Sequence, residues 1–177
     1  MIDFFSFENI RTYSRLALAH GFIFILFLLG VISYSVSSPD VVRPYFIVMA
    51  LYFWSIYRPT LMSPAYVFAL GLLFDFILNY PVGLHALIFV ALQWIIRDQR
   101  LFFLGQPYFI AWIGFAFTCF SVLALEWGFF SLVSNIMFDY ELVLWGSLIS
   151  ILSYPLVTLL FHMIYRILPP VTQSHFV

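Results

Sequence analysis

The chain has 177 residues, 64% of them hydrophobic and only 8% charged, with a net charge of -1. A soluble domain is ~45–50% apolar and ~25% charged, so too few charges are present to coat a water-facing surface around this much apolar mass. The near-zero charge and the single cysteine, Cys119, also exclude a basic nucleic-acid binder and a disulfide scaffold, which leaves a helical membrane protein with room for about six to eight spans.

The first apolar run covers 16–36 and closes at Ser37-Ser38-Pro39-Asp40. It is longer than the ~7–15-residue apolar core of a cleaved signal, so it is expected to stay as a span. The second run, 42–57, is short and aromatic and stops at Arg58-Pro59. The third, 61–80, opens with Ser63 as a candidate N-cap and Pro64 in the first helical turn. Pro81 and Gly83 then mark a tight turn into the fourth run, 82–96, which ends at Arg97-Asp98-Gln99-Arg100. The fifth run is 107–130, with Pro107 suited to its start. The sixth is 142–168, with Asp139 as a candidate cap and Glu141 suited to the positive end of the helix dipole.

In hydrocarbon, backbone groups must bond within their own helix or within a closed barrel. A barrel would alternate polar and apolar residues, and these runs do not. The expected fold is therefore an all-α polytopic membrane protein: one transmembrane domain over residues 1–177, six helices and short loops. Arginine placement supports that count. With six spans, Arg11, Arg15, Arg58, Arg97, Arg100 and Arg166 share the side of both termini, against Arg43 alone on the other. The positive-inside rule makes that side cytoplasmic. Removing the short second span would move four of these arginines to the wrong side.

Ionisable groups inside the spans are costly and so stand out. Asp75 lies near one end of the third span. Gly71, Asp75 and Asn79 fall at i, i+4 and i+8 and form a stripe expected to face other helices. His85 lies just past the turn, at a depth similar to Asp75 in an antiparallel hairpin, within reach of a hydrogen bond. The pair is open to two readings: a proton-sensitive or ligand-binding cluster, or a tie that locks the hairpin. The tie is the plainer reading, since buried polar groups mostly satisfy each other. On the sixth span Ser150, Tyr154, Thr158, His162 and Arg166 recur every four residues around Pro155. That stripe is either a groove wall for a partner or routine helix packing, and packing is again the plainer reading. Glu126 with Trp127 reads as an interfacial feature. His20 and His162, without a neighbouring carboxylate or thiol in sequence, make a weak metal case.

Catalytic templates are missing. The chain has no lysine, no Gly-x-Ser-x-Gly elbow, no His-Glu-x-x-His and no phosphate loop. Cys119 sits among Phe115, Phe117 and Phe120 and reads as an inert small hydrophobe. Ser147 or Ser150 cannot meet His162, because twelve residues along one helix is ~18 Å of rise. An enzyme is not expected, and neither is a cofactor.

One stretch carries a family signal. It runs Tyr52-Phe53-Trp54-Ser55-Ile56-Tyr57-Arg58-Pro59, then Gly71-Leu72-Leu73-Phe74-Asp75, then Pro81-Val82-Gly83-Leu84-His85-Ala86-Leu87. Its order and spacing resemble MreD, the rod shape-determining membrane protein of the bacterial inner membrane. Arg58, Pro59, Gly71, Asp75, Pro81 and Gly83 match the pattern, and His85 stands where the family commonly has Asn. The resemblance implies a non-enzymatic scaffold of the cell-elongation complex that helps organise peptidoglycan synthesis. It would bind membrane lipids and the single-span protein MreC, and it would be linked to MreB filaments, the glycosyltransferase RodA and a class B penicillin-binding protein. No nucleic acid is implied. The resemblance also implies a helical fold similar to the substrate-binding subunits of energy-coupling-factor transporters. From that follows an alternative, a small-solute-binding subunit holding its ligand near Asp75, Asn79, His85 and Glu126 at the outer face.

Overall fold

The computed structural model describes residues 7–32, 34–37, 40–42, 44–134 and 140–168. Seven helices follow in order: α1 Phe7–Val31, α2 Phe46–Tyr57, α3 Pro64–Leu78, α4 Leu84–Asp98, α5 Arg100–Leu104, α6 Tyr108–Ser134 and α7 Tyr140–Ile167. Three of them contain stretches long and apolar enough to cross a membrane: Ser14–Val31, Tyr108–Phe129 and Leu144–Ile167. With the shorter apolar helices Phe46–Tyr57 and Pro64–Leu78, they make this an all-α polytopic membrane protein. Arg43, Asp139 and residues 169–170 lie outside the described residues, as do the side chains of Arg11 and Glu141, so the cap expected at Asp139 is not among them.

Two expected boundaries are corrected. The first helix ends at Val31 and the second begins at Phe46. Between them, β1 Tyr34–Ser37 and β2 Asp40–Val42 pair antiparallel, Tyr34 opposite Val42 and Ser35 opposite Val41. Their Tyr, Val and Ser residues suit a paired strand flanking a turn, and the pairing satisfies backbone groups that two longer helices would have satisfied internally. The other addition is α5, a single turn and a half inserted between α4 and α6.

The core is built around α2. Its 12 residues rise only about 18 Å, well short of the ~30 Å hydrocarbon layer. Every residue from Ile47 to Ile56 is buried. A helix that is apolar all round belongs inside a bundle, and α2 is enclosed by α1, α4, α5, α6 and α7. Its aromatic residues set the packing. Tyr52 meets Phe115 and Tyr154 edge-on, and Phe53 stacks on Phe161 at 4.8 Å. The Tyr52 hydroxyl donates to the Ala111 carbonyl at 2.9 Å. Gly114 makes room for this approach, because a Cβ there would lie 2.4 Å from the Tyr52 hydroxyl oxygen. At the end of α2, Arg100 Nε donates to the Ile56 carbonyl at 2.7 Å, placing a cation on a helix C-terminus.

Proline within α7 has a traceable remedy. Pro155 has no N–H to offer the Ile151 carbonyl four residues earlier. The Trp112 indole N–H of α6 takes that carbonyl instead, at 2.9 Å. Thr158 Oγ1 donates to the Tyr154 and Pro155 carbonyls, both at 2.8 Å, within the same turn.

Candidate functional site

The polar site grows out of the α3–α4 hairpin. Ser63 caps α3 by accepting the Tyr66 N–H at 3.2 Å, and Pro64 occupies the first turn. At its other end α3 stops at Asn79, whose φ of 55° and ψ of 35° are left-handed. The chain then turns through Pro81 and Gly83. Gly83 has φ 100°, a conformation that an L side chain rarely adopts.

Gly83 is the N-cap of α4 and has no side chain to satisfy the exposed N–H groups of the first turn. Asp75 does this from the neighbouring helix. Its Oδ2 accepts the Gly83 N–H at 2.8 Å, and its Oδ1 accepts the His85 N–H at 3.1 Å. A carboxylate at the positive end of a helix dipole is well placed electrostatically. Close approach of the two helices makes this reach possible. A Cβ on Gly71 would lie 2.4 Å from Ala86 Cα, so only glycine lets α3 seat against α4 there.

The side chains complete the cluster. His85 Nδ1 lies 2.7 Å from Asp75 Oδ1, and its Nε2 lies 2.9 Å from Glu126 Oε1 on α6. Glu126 Oε2 accepts the Tyr45 hydroxyl at 2.8 Å. The Tyr45 backbone N–H donates to Ser150 Oγ of α7 at 2.7 Å. Asp75 and His85 are 0% and 1% exposed, whereas the Glu126 side chain is 16% exposed. Tyr80 and Phe74 flank the imidazole, with ring centroids 4.9 and 4.8 Å away. One polar chain thus joins α3, α4, α6, the entry to α2 and α7.

Several expected residues fall elsewhere. Asn79 does not share the buried face of Gly71 and Asp75; it is exposed and ends α3. Glu126 is not merely interfacial, since it bridges His85 and Tyr45. Ser150, Tyr154 and Thr158 are buried within the chain's own bundle. Tyr154 stacks on Phe115 at 4.0 Å, and the Thr158 hydroxyl pairs with that of Tyr108 at 2.8 Å. His162 Nδ1 lies 2.9 Å from the Thr158 carbonyl, and its ring packs on Phe53 and Tyr57. His20 packs edge-on to Tyr66. Arg58 is buried at the C-cap of α2, where its N–H bonds the Trp54 carbonyl, and Pro59 follows it into the turn. Gln93, which no sequence pattern singled out, donates its amide to the Met62 carbonyl and ties α4 to the α2–α3 turn. Tyr45, and the link from Glu126 to His85, were missed because Glu126 and Tyr45 lie 41 and 40 residues from His85, with no shared helical register to connect them.

Chemically, the site is a hydrogen-bonded chain of ionisable and hydroxyl groups. The two imidazole nitrogens point to carboxylates in opposite directions, so the three groups do not converge on a common centre. Among the described residues no group of three His, Cys, Asp or Glu side chains is arranged to hold a metal ion.

A Rickettsia prowazekii (strain Madrid E) protein named as uncharacterized is 28% identical over 138 residues, covering 77% of this chain and 78% of its own. No solved structure matches. The model of the rod shape-determining protein MreD matches residues 11–164, which include every residue of the cluster, and the chain therefore belongs to the MreD family of rod shape-determining membrane proteins.

Proposed function

We propose that this protein is a non-enzymatic scaffold of the cell-elongation machinery in the bacterial inner membrane. In this reading it binds MreC and, through it, helps position RodA, a class B penicillin-binding protein and MreB filaments for peptidoglycan synthesis. The family match over residues 11–164 carries the reading. The distribution of polar groups supports it. Asp75 and His85 use their hydrogen-bonding atoms on each other, on backbone N–H groups and on Glu126. The outward faces are apolar instead. Leu152, Leu156, Leu159 and Met163 of α7 are all more than 60% exposed and recur at steps of four, three and four. That spacing suits the seam of a second helix.

In this proposal α1, α2, α3, α4, α6 and α7 are the six spans, and both termini are cytoplasmic. The charged segment Arg97 to Arg100 then meets the anionic leaflet. Partner contact is made by outward apolar faces and not by Ser150, Tyr154 and Thr158. Site-specific photo-cross-linking in growing cells tests this directly. Probes at Leu152, Leu156 and Leu159 should capture MreC, and depletion of the protein should round the cells. Failure of the purified pair to co-elute would remove the scaffold reading. The solute-subunit alternative predicts a co-purifying small molecule in native mass spectrometry, whereas a scaffold carries lipid.

A further inference from the structure

The His85–Glu126 contact carries a consequence of proton counting. Each imidazole nitrogen lies within hydrogen-bond distance of a carboxylate oxygen, at 2.7 and 2.9 Å. Carboxylates only accept, and a neutral imidazole has one N–H and one bare lone pair. Both contacts therefore need an additional proton, held either on the ring as imidazolium or on one carboxyl. Either placement gives the trio a net charge of about -1 rather than about -2.

The two contacts are not equivalent. Asp75 also accepts two backbone N–H groups, from Gly83 and His85, which keep it an acceptor and hold Nδ1–H against it. Glu126 is the more accessible carboxylate and has the Tyr45 hydroxyl as its other partner. Loss of the additional proton thus strands the Nε2 lone pair against Glu126 Oε1, and this contact opens while the Asp75 contact stays.

That step frees α6 from the α3–α4 hairpin only, since Trp112 still bonds the Ile151 carbonyl of α7. Directly beyond the contact, α4 and α6 line a mostly apolar groove of about 280 Å³, with Ile88, Leu92 and Ile95 on one side and Phe117, Ser121 and Leu125 on the other. Ile88 is one turn from His85, and Leu125 adjoins Glu126. Ser121 donates its hydroxyl to the Phe117 carbonyl at 2.9 Å, leaving the groove wall apolar.

We propose that Asp75, His85 and Glu126 form a proton-binding site whose occupancy latches α6 to the α3–α4 hairpin and so sets the width of the groove between α4 and α6. The titratable groups facing the ring are Asp75 from α3, Glu126 from α6 and Tyr80 from the turn. Tyr45 lies behind Glu126, near Tyr80 and Cys119. Raising the pH removes the additional proton and opens the latch; lowering the pH restores the proton and closes it.

The test uses the full chain in lipid nanodiscs, with Cys119→Ala and spin labels at Ala91→Cys and Ser121→Cys. Both labelled positions line the groove and touch none of the three groups. Between about pH 5 and about pH 10, the label separation should rise with pH. Glu126→Gln should stay close at every pH, because an amide offers a carbonyl to N–H and an N–H to a bare nitrogen. Glu126→Ala should stay apart throughout. A wild-type separation that does not change with pH would overturn the latch, as would Glu126→Gln titrating like the parent. If Glu126→Ala does not fold, the comparison of parent and Gln variant decides alone.

Discussion

The two ends of α2 solve the same problem with different chemistry. At the Tyr45 end, helices are joined by charge: Asp75, His85 and Glu126 link α3, α4 and α6 through contacts of 2.7–2.9 Å. At the Tyr57 end, they are joined by rings. Phe53 stacks on Phe161 at 4.8 Å, tilts over Tyr57 at 4.5 Å and meets His162 at 5.1 Å. Each end has a histidine, with opposite consequences. His85 has a carboxylate at each nitrogen, whereas His162 has the Thr158 carbonyl at Nδ1 and aromatic faces around its ring. Ring packing has preferred geometries but gains most of its stability from buried apolar area, which a substitute of similar size can largely keep. A buried charge cluster is directional, and removing one member leaves the others unsatisfied. The comparison predicts a brittle end and a forgiving one.

The largest effect should come from Asp75→Ala. It removes the acceptor for two backbone N–H groups and for His85, at ~1–3 kcal/mol for each buried group left unpaired. Little monodisperse protein should survive detergent extraction. Asp75→Asn keeps an acceptor oxygen but loses the charge, so it should fold with a lowered melting temperature. Equal losses in both variants would show that the charge matters there and the retained shape does not. Gly71→Val comes next. Its Cβ overlaps Ala86 and forces α3 from α4, at ~1–3 kcal/mol or more. Thermal unfolding in detergent should show the shift, with Gly71→Ala milder than Gly71→Val.

Trp112→Phe lies between the two ends. It strands the Ile151 carbonyl that Pro155 cannot serve, at ~1–2 kcal/mol. Pairing it with Pro155→Ala, which restores the helical N–H, should recover most of that loss. The smallest effect should be His162→Leu, at under ~1.5 kcal/mol, because its ring contacts are apolar and its one bond is local. A large loss there would erase the contrast between the ends.

The sequence showed what is local. Ser63 and Pro64 announce the start of α3, and the Pro81–Gly83 turn sets the register that brings Asp75 to His85, only ten residues away. What it concealed is long-range. Glu126 reaches His85 across 41 residues because α4 and α6 pack antiparallel beyond the α5 turn, and no periodicity in either helix encodes that pairing. Asn79 was misplaced because i+8 spacing continues a helix that in fact ends there in a left-handed cap. Residues 34–36 and 42 of the hairpin were absorbed into the flanking spans because apolar β-branched residues look alike to a hydropathy count. The role of Asp75 as cap of α4 was hidden for a related reason: a glycine N-cap signals the missing side chain but not where its substitute comes from.

The shortness of α2 bears on how the protein is made. Alone in a bilayer, a 12-residue helix would leave roughly 12 Å of hydrocarbon uncovered and draw the lipid inward around its ends. Released one at a time from the insertion machinery, α1 and α6 could each lodge and wait for partners, but α2 could not. It needs neighbours on every side before it is at home. Membrane integration and folding are therefore a single event for this segment, and a nascent chain halted before α7 would present an unsheltered helix to quality-control proteases.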